Sequence, residues 1–208
     1  ARTLFQQIDR PNVFIKVPAT PEGIPAIETL ISEGIHINVT LIFAIEVYER
    51  VMQAYIGGLR KRHAQGRDVT QVRSVASFFV SRVDTAIDKL LTERAKTSAV
   101  ANALLGKAAV ANAKLAYRRF EEVFGPKGEF RDLAQIGAQP QRPLWASTST
   151  KNPAYPDTLY VNPLVGRHTV NTMPPETIRA VLDHGQAELT IHAKLDDSRR
   201  TIGQLSEM

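Results

Sequence analysis

The sequence predicts an α/β chain in which short parallel strands alternate with longer helices. Three observations carry that expectation. First, β-branched runs alternate with segments whose apolar residues recur at helical spacing. Second, no GxGxxG or Walker-type glycine run follows any strand, so a nucleotide-binding doubly wound sheet has no support. Third, the strands are apolar on one parity and carry small polar groups on the other. Strands covered by helices on both faces are apolar throughout. A closed barrel gives a polar face its place, because its interior meets the substrate at the C-terminal strand ends.

The elements follow in order. Thr3 to Asp9 reads as the tail of a helix, and Val13 to Val17 as the first strand. Glu22 to Ser32 carries Ile24, Ile27, Leu30 and Ile31 on one helical stripe, and Gly34 stops it. The second strand is His36 to Phe43, with Ile35, Ile37, Val39 and Leu41 on one parity and His36, Asn38 and Thr40 on the other. Ala44 to His63 is a long helix with Val47, Tyr48, Val51, Met52, Tyr55 and Leu59 on one face. The third strand is Val75 to Ser81, where Ser77, Phe79 and Ser81 share a parity. Val83 to Glu93 is a helix, and the alanine-rich stretch Ala99 to Phe124 reads as one long helix ended by Gly125-Pro126-Lys127-Gly128. Pro143 to Thr148 is the fourth strand, with Trp145, Ser147 and Ser149 alternating with Ala146, Thr148 and Thr150. Thr158 to Val161 is expected as the fifth strand, Pro174 to His184 as a helix with proline at its start, Leu189 to Ile191 as a short strand and Asp196 to Leu205 as a last helix.

Bulk composition narrows the function. The 208 residues are 43% hydrophobic and 23% charged, those of a soluble globular chain, and suffice for one large domain. No apolar run approaches the roughly 20 residues of a membrane helix, and the N-terminus has no signal-peptide pattern. The absence of cysteine excludes disulfides and thiolate chemistry and is compatible with a reducing cytoplasm. The net charge of +5 is scattered, with Arg60-Lys61-Arg62-His63 the densest cluster at a helix end, where cations suit the macrodipole. A surplus serving anionic small substrates is favoured over nucleic-acid binding.

Lys16 stands out within Val13-Phe14-Ile15-Lys16-Val17-Pro18. Burial in a sheet disfavours the ammonium and leaves a nucleophile suited to a carbonyl carbon. The alternative is a strand-end lysine whose stem lies on apolar surface while its head reaches water. Arg82, next to a helix start, serves equally as an anion ligand or as a partner of Asp84 or Asp88.

The assembled motifs resemble transaldolase, in its bacterial branch that includes fusions to glucose-6-phosphate isomerase. Ile15-Lys16-Val17-Pro18-Ala19-Thr20 resembles the family's Schiff-base strand, and Gly34 to Phe43 the strand after it. Ser77-Phe78-Phe79-Val80-Ser81-Arg82-Val83-Asp84 resembles the strand with the phosphate arginine. Leu144 to Pro153 and Asn171-Thr172-Met173-Pro174 match later strands. The resemblance implies a (β/α)8 TIM barrel of which this chain is a partial one: it covers strands four to eight, with the first three βα units and their acid/base carboxylates absent. It implies transfer of a dihydroxyacetone unit from sedoheptulose 7-phosphate or fructose 6-phosphate to an aldose phosphate, in the pentose phosphate pathway, with no metal or organic cofactor. Lys16 is the implied nucleophile and Thr40 positions the catalytic water. Asn38 and Ser147 bind the three-carbon unit, Ser77 and Phe79 line the pocket, and Arg82 holds the phosphate. Ser149 stands where the family has a second phosphate arginine, with Lys151 nearby as the replacement charge. The expectation is therefore a single incomplete barrel domain over residues 1–208, cytoplasmic, weakly active or inactive alone, with sugar phosphates as partners, no nucleic acid, no membrane, and self-association through open sheet edges. A class I Schiff-base aldolase and a non-catalytic phosphosugar-binding partial barrel are the alternatives.

Overall fold

Strand and helix alternate as expected in a computed structural model that describes residues 1–208. The chain forms two compact units. One is built from residues 1–78 and 118–144, the other from residues 79–117 and 145–208. Five strands hydrogen-bond in chain order: β1 (Ile15–Pro18), β2 (Ile37–Ile42), β3 (Ser74–Phe79), β4 (Arg142–Ala146) and β5 (Val170–Asn171). β1 pairs with β2, and β2 with β3, in parallel. Sequential parallel strands alternating with helices make this an α/β fold consistent with part of a (β/α)8 barrel.

In the first unit, α1 (Arg2–Ile8) precedes β1, α2 (Gly23–Glu33) follows it, and α3 (Ile45–Ala64) follows β2. Alternation puts Ile15, Val17, Ile37 and Val39 in the core with Ile27 and Ile31 of α2 and Val51, Met52, Tyr55 and Leu59 of α3. Each helix presents one apolar stripe, so the two pack against each other as well as against the sheet. Their approach depends on Gly58. A Cβ there would stand 2.6 Å from the Glu28 carbonyl oxygen and 2.8 Å from Ile31 Cβ. At the far end of α3 the basic cluster is partly neutralised, as Lys61 pairs with Glu28 at 2.6 Å and Arg62 Nε donates to the Asp68 carbonyl. Tyr55 stacks on Phe130, which follows the second part of α6 (Ala108–Phe124) and precedes α7 (Arg131–Gln135), and its hydroxyl donates to the Gln139 carbonyl at 2.7 Å. The short helix α7 has no counterpart in the sequence expectation.

His36 closes the entry to β2. It is 8% exposed, lies edge-on to Phe5 with ring centroids 5.5 Å apart, touches Phe14, and accepts from the Arg73 N–H through Nδ1. Burial, aided by the Arg73 charge, holds its pKa below the ordinary histidine value. Protonation is therefore easier in the unfolded chain. The stability that neutral His36 contributes is present above the ordinary value, near 6.5, and is lost as pH falls through it towards the lower native one. The urea midpoint is expected to drop on acidification across that window, with a slope of less than one proton. His36→Asn, which keeps an acceptor, is expected to remove that slope; an unchanged slope would exclude His36 as its source.

In the second unit, α4 (Ser81–Ala95), α5 (Ala99–Leu104) and the first part of α6 precede the end of β4, and a 3-10 turn (Asn162–Leu164), β5, α8 (Pro175–His184) and α9 (Leu195–Ser206) follow it. The expected long helix over 99–124 is broken between Leu104 and Ala108. Gly106 adopts φ +69° there, and its N–H donates to Asp88 Oδ1 at 3.0 Å. A side-chain acceptor from α4 and a left-handed glycine together stop what the alanines would continue.

Three strand expectations are corrected. Residues 158–161 turn instead, because the Thr158 carbonyl accepts from both Val161 N and Asn162 N. Residues 189–191 form no strand, as Thr190 N and Ile191 N both donate to the Val165 carbonyl. β4 stops at Ala146 with its last four residues buried, and Ser147 takes φ +57°, so the expected alternation through Thr150 does not extend past the strand.

Candidate active site

Within the first unit, Lys16, Asn38, Thr40 and Ser77 are brought to the same parity of three adjacent strands. Parallel register sets Lys16 beside Asn38, Pro18 beside Thr40, and Asn38 beside Val75, which shares its face with Ser77. Neighbouring residues in register project to the same side of a sheet. Ser77 Oγ donates to Asn38 Oδ1 at 2.7 Å. That bond orients the amide and leaves both Nδ2–H donors unused, ready for an oxygen placed between Asn38 and the neighbouring strand. Ser77 is 2% exposed and Asn38 is half-buried, so the bond is partly shielded from water.

Lys16 itself is exposed, while Ile15 and Val17 on either side are buried. β1 pairs only with β2, and the lysine lies on the face away from α2, so its head reaches water as in the alternative reading. The polar face of β2 is likewise half open, with Asn38 and Thr40 partly exposed.

Next to these groups the backbone departs from a regular strand. The β2–β3 register shifts between Val39 and Ile42, which aligns Ile42 with Phe78. Leu41 is the extra residue, exposed and at φ +62°. Leucine gains nothing locally from the left-handed region, so the bulge is imposed by its surroundings, and such bulges commonly terminate pairing beside sites. Nothing in the sequence marks Leu41 for this conformation.

The second unit carries the other predicted residues. Ser81 N donates to the Ser147 carbonyl, and the two hydroxyls share a hydrogen bond of 2.9 Å. Ser147 is thereby fixed against the first residue of α4. Arg82, the next residue, is exposed, and its guanidinium carbon lies 5.1 Å from the Phe79 ring centre. That stacking pre-sets the planar fork without using its donors. The salt-bridge alternative for Arg82 is not realised. Asp84, 1% exposed, accepts from Ala109 N at 2.7 Å and from Tyr160 Oη at 2.9 Å. Asp88 accepts from Gly106 N and from Tyr155 Oη at 2.7 Å. Burial pushes the Asp84 carboxyl up to about 6, although both hydrogen bonds oppose the shift.

Ser149 is buried just beyond β4. Lys151 is exposed and lines a cavity of about 290 Å3 whose walls include Asp84 and Asp88. Those carboxylates make that cavity a poor phosphate site for Lys151. Ser81 is the residue that strand parity pointed to without its being named as a site residue; its place in the Ser77–Phe79–Ser81 series was the available signal. No group of three or more His, Asp or Glu side chains is arranged to hold a metal ion. No helix is long and apolar enough to cross a membrane.

Comparison with known proteins bears on what these groups do. Residues 1–208 match the family model for transaldolase/fructose-6-phosphate aldolase. The chain is 57% identical over 185 residues to a transaldolase of Thermobifida fusca, covering 89% of this chain and 50% of that protein. It is 51% identical over 210 residues to a transaldolase of Parafrankia sp., covering 100% of this chain and 56% of the relative. It is 51% identical over 203 residues to a transaldolase of Mycobacterium tuberculosis, at 97% and 54% coverage. The chain spans about half the length of the curated relatives it matches.

Proposed function

We propose, from the premise that the chain belongs to the transaldolase/fructose-6-phosphate aldolase family, that Lys16 forms a Schiff base with a ketose phosphate. The observation that carries this is the register of Lys16 beside Asn38, whose amide is oriented by Ser77. Lys16 Nζ adds to the C2 carbonyl of sedoheptulose 7-phosphate or fructose 6-phosphate, and water leaves to give an iminium. The iminium accepts the electron pair of the C3–C4 bond as it breaks, and an aldose departs. The resulting enamine adds to the aldehyde carbon of an acceptor aldose phosphate, and water then releases the new ketose. The Nδ2–H donors of Asn38 and the hydroxyl of Ser147 bind oxygens of the three-carbon unit. Thr40 positions the water that moves protons, and Phe79 bounds the pocket. Arg82 takes the phosphate, for which its bidentate fork is suited. Ser149 and Lys151 contribute only secondarily.

This reading takes residues 1–208 as one domain of a cytoplasmic enzyme of the pentose phosphate pathway, with sugar phosphates as partners. Self-association through the unpaired edge of β1 belongs to the same proposal. Turnover by the 208-residue chain is expected to be slow. No carboxylate hydrogen-bonds to Lys16, Asn38, Thr40 or Ser77, and general acid–base groups typically contribute about 10²–10⁴-fold.

A second reading is aldol cleavage without transfer, because the same Lys16 Schiff base serves both reactions. Product analysis with and without an acceptor aldehyde separates the two. The Schiff base itself is tested by borohydride reduction in the presence of fructose 6-phosphate, followed by peptide mass mapping. An adduct on Lys16 supports the assignment; an adduct on Lys151, or none, overturns it.

A further inference from the structure

A second concentration of cationic groups lies in the second unit, on residues for which the reaction has no use. A cavity of about 400 Å3 is walled by Lys107 just before α6, by Lys114 two turns into it, by Leu159, and by Lys194 and Ser198 at the start of α9. Lys114 is 5% exposed. Its ammonium donates to the Thr190 carbonyl at 3.0 Å and the Ala193 carbonyl at 2.6 Å. An ammonium has three donors, so one remains unspent on a side chain that is almost wholly buried. None of the three lysines forms an ion pair with a carboxylate. The carboxylate in the wall, Asp197, is paired with Arg200.

We propose that this cavity is a binding site for a phosphate-bearing small molecule, separate from the reaction described above. The chemistry of the walls selects the class. Three lysines, one of them buried, line the cavity with a single carboxylate that is already paired with Arg200. The first turn of α9 adds backbone donors, since its N-cap residue Lys194 makes no side-chain cap and takes φ +57°. Ser198 is buried at the same turn, and its hydroxyl donates to the Lys194 carbonyl, which fixes the loop that carries Lys194. Leu159 and Val110 provide an apolar wall for the remainder of the molecule, in a volume within the usual range for small ligands. Burial, together with the nearby Lys194 charge, lowers the Lys114 pKa. An anion seated between the two ammonium groups removes that repulsion, so binding and full protonation of Lys114 reinforce each other.

The test uses the 208-residue chain and inorganic phosphate at constant ionic strength, with chloride replaced by phosphate and the thermal midpoint recorded. Measurements are made in an Arg82→Gln background, which removes the phosphate ligand proposed for the reaction and keeps the two sites distinguishable. Saturable stabilisation is expected, with an apparent Kd on the order of 1 mM. Lys194→Gln, an exposed change, is expected to weaken it at least ~10-fold, and Lys114→Met to abolish it. Lys61→Gln is expected to leave it unchanged. The proposal fails if phosphate and chloride stabilise equally, or if Lys194→Gln binds phosphate as the parent does. Should Lys114→Met not fold, Lys194→Gln decides the matter alone.

Discussion

Replacing Lys16 with arginine is expected to abolish the borohydride-trapped adduct with fructose 6-phosphate and to lower any cleavage or transfer activity by at least ~10³-fold. The substitution keeps a positive charge on the same strand face. A guanidinium does not lose its proton in proteins, so it cannot form the imine. Structural damage is not a competing explanation, because Lys16 is exposed between the buried Ile15 and Val17. Exposed substitutions away from caps and networks usually change stability by less than ~0.5 kcal/mol. The denaturation midpoint of Lys16→Arg is therefore expected to match that of the parent chain. Adduct persisting in the variant would move the nucleophile elsewhere. An Asn38→Ala variant that traps substrate as well as the parent would detach the Ser77-oriented amide from the reaction.

A second result of comparable size concerns two adjacent glycines in α3, whose substitutions should have opposite signs. At Gly58 an added Cβ meets the Glu28 carbonyl oxygen at 2.6 Å and Ile31 at 2.8 Å. The first is backbone and the second is fully buried, so neither can yield without moving α2. Overpacking of this kind usually costs ~1–3 kcal/mol. Gly58→Val adds two further methyl groups at the same contact and is expected near the upper end, a loss of ~6–12 °C in Tm at the ~2–4 °C per kcal/mol usual for this chain length. At Gly57 the nearest atom is the Glu28 carboxyl carbon at 3.2 Å, the end of a flexible side chain. Gly57→Ala then gains up to ~1 kcal/mol of helix propensity for a small adjustment. Equal effects at the two positions, read by thermal or urea unfolding, would mean that α2 and α3 do not pack as described.

The alternation of strands and helices was legible in the sequence because binary patterning and burial agree where one face of each element meets the core. Ile27 and Ile31, or Val51 and Tyr55, sit where their periodicity puts them. The failures have two physical causes: a contact from another element, or a local turn, outweighed the segment's own preference. The Ala99 to Phe124 helix breaks because Asp88, eleven residues before it, takes the Gly106 amide. Thr158 to Val161 has β-branched composition but spends its carbonyl on a local turn. The candidate site was legible through parity, which set Lys16, Asn38 and Ser77 on one side, and through the resemblance that gave them roles. Exposure of Lys16 was not, since it depends on which strand lies on the other side of β1. The left-handed Leu41 was not either, because leucine carries no local signal for that conformation.

The hydroxyl pair of Ser81 and Ser147 has a consequence for what the second unit can recognise. Two hydroxyl protons serve one shared bond, so at any moment one proton is free to point away. If Ser81 donates, Ser147 offers its own proton outward and reads a carbonyl or alkoxide oxygen. If Ser147 donates, it offers only lone pairs and reads a hydroxyl. The change needs two torsional rotations and no displacement of a heavy atom. A pair of this kind serves successive partners of opposite hydrogen-bonding sense, as happens when a carbonyl becomes a hydroxyl in the course of one turnover.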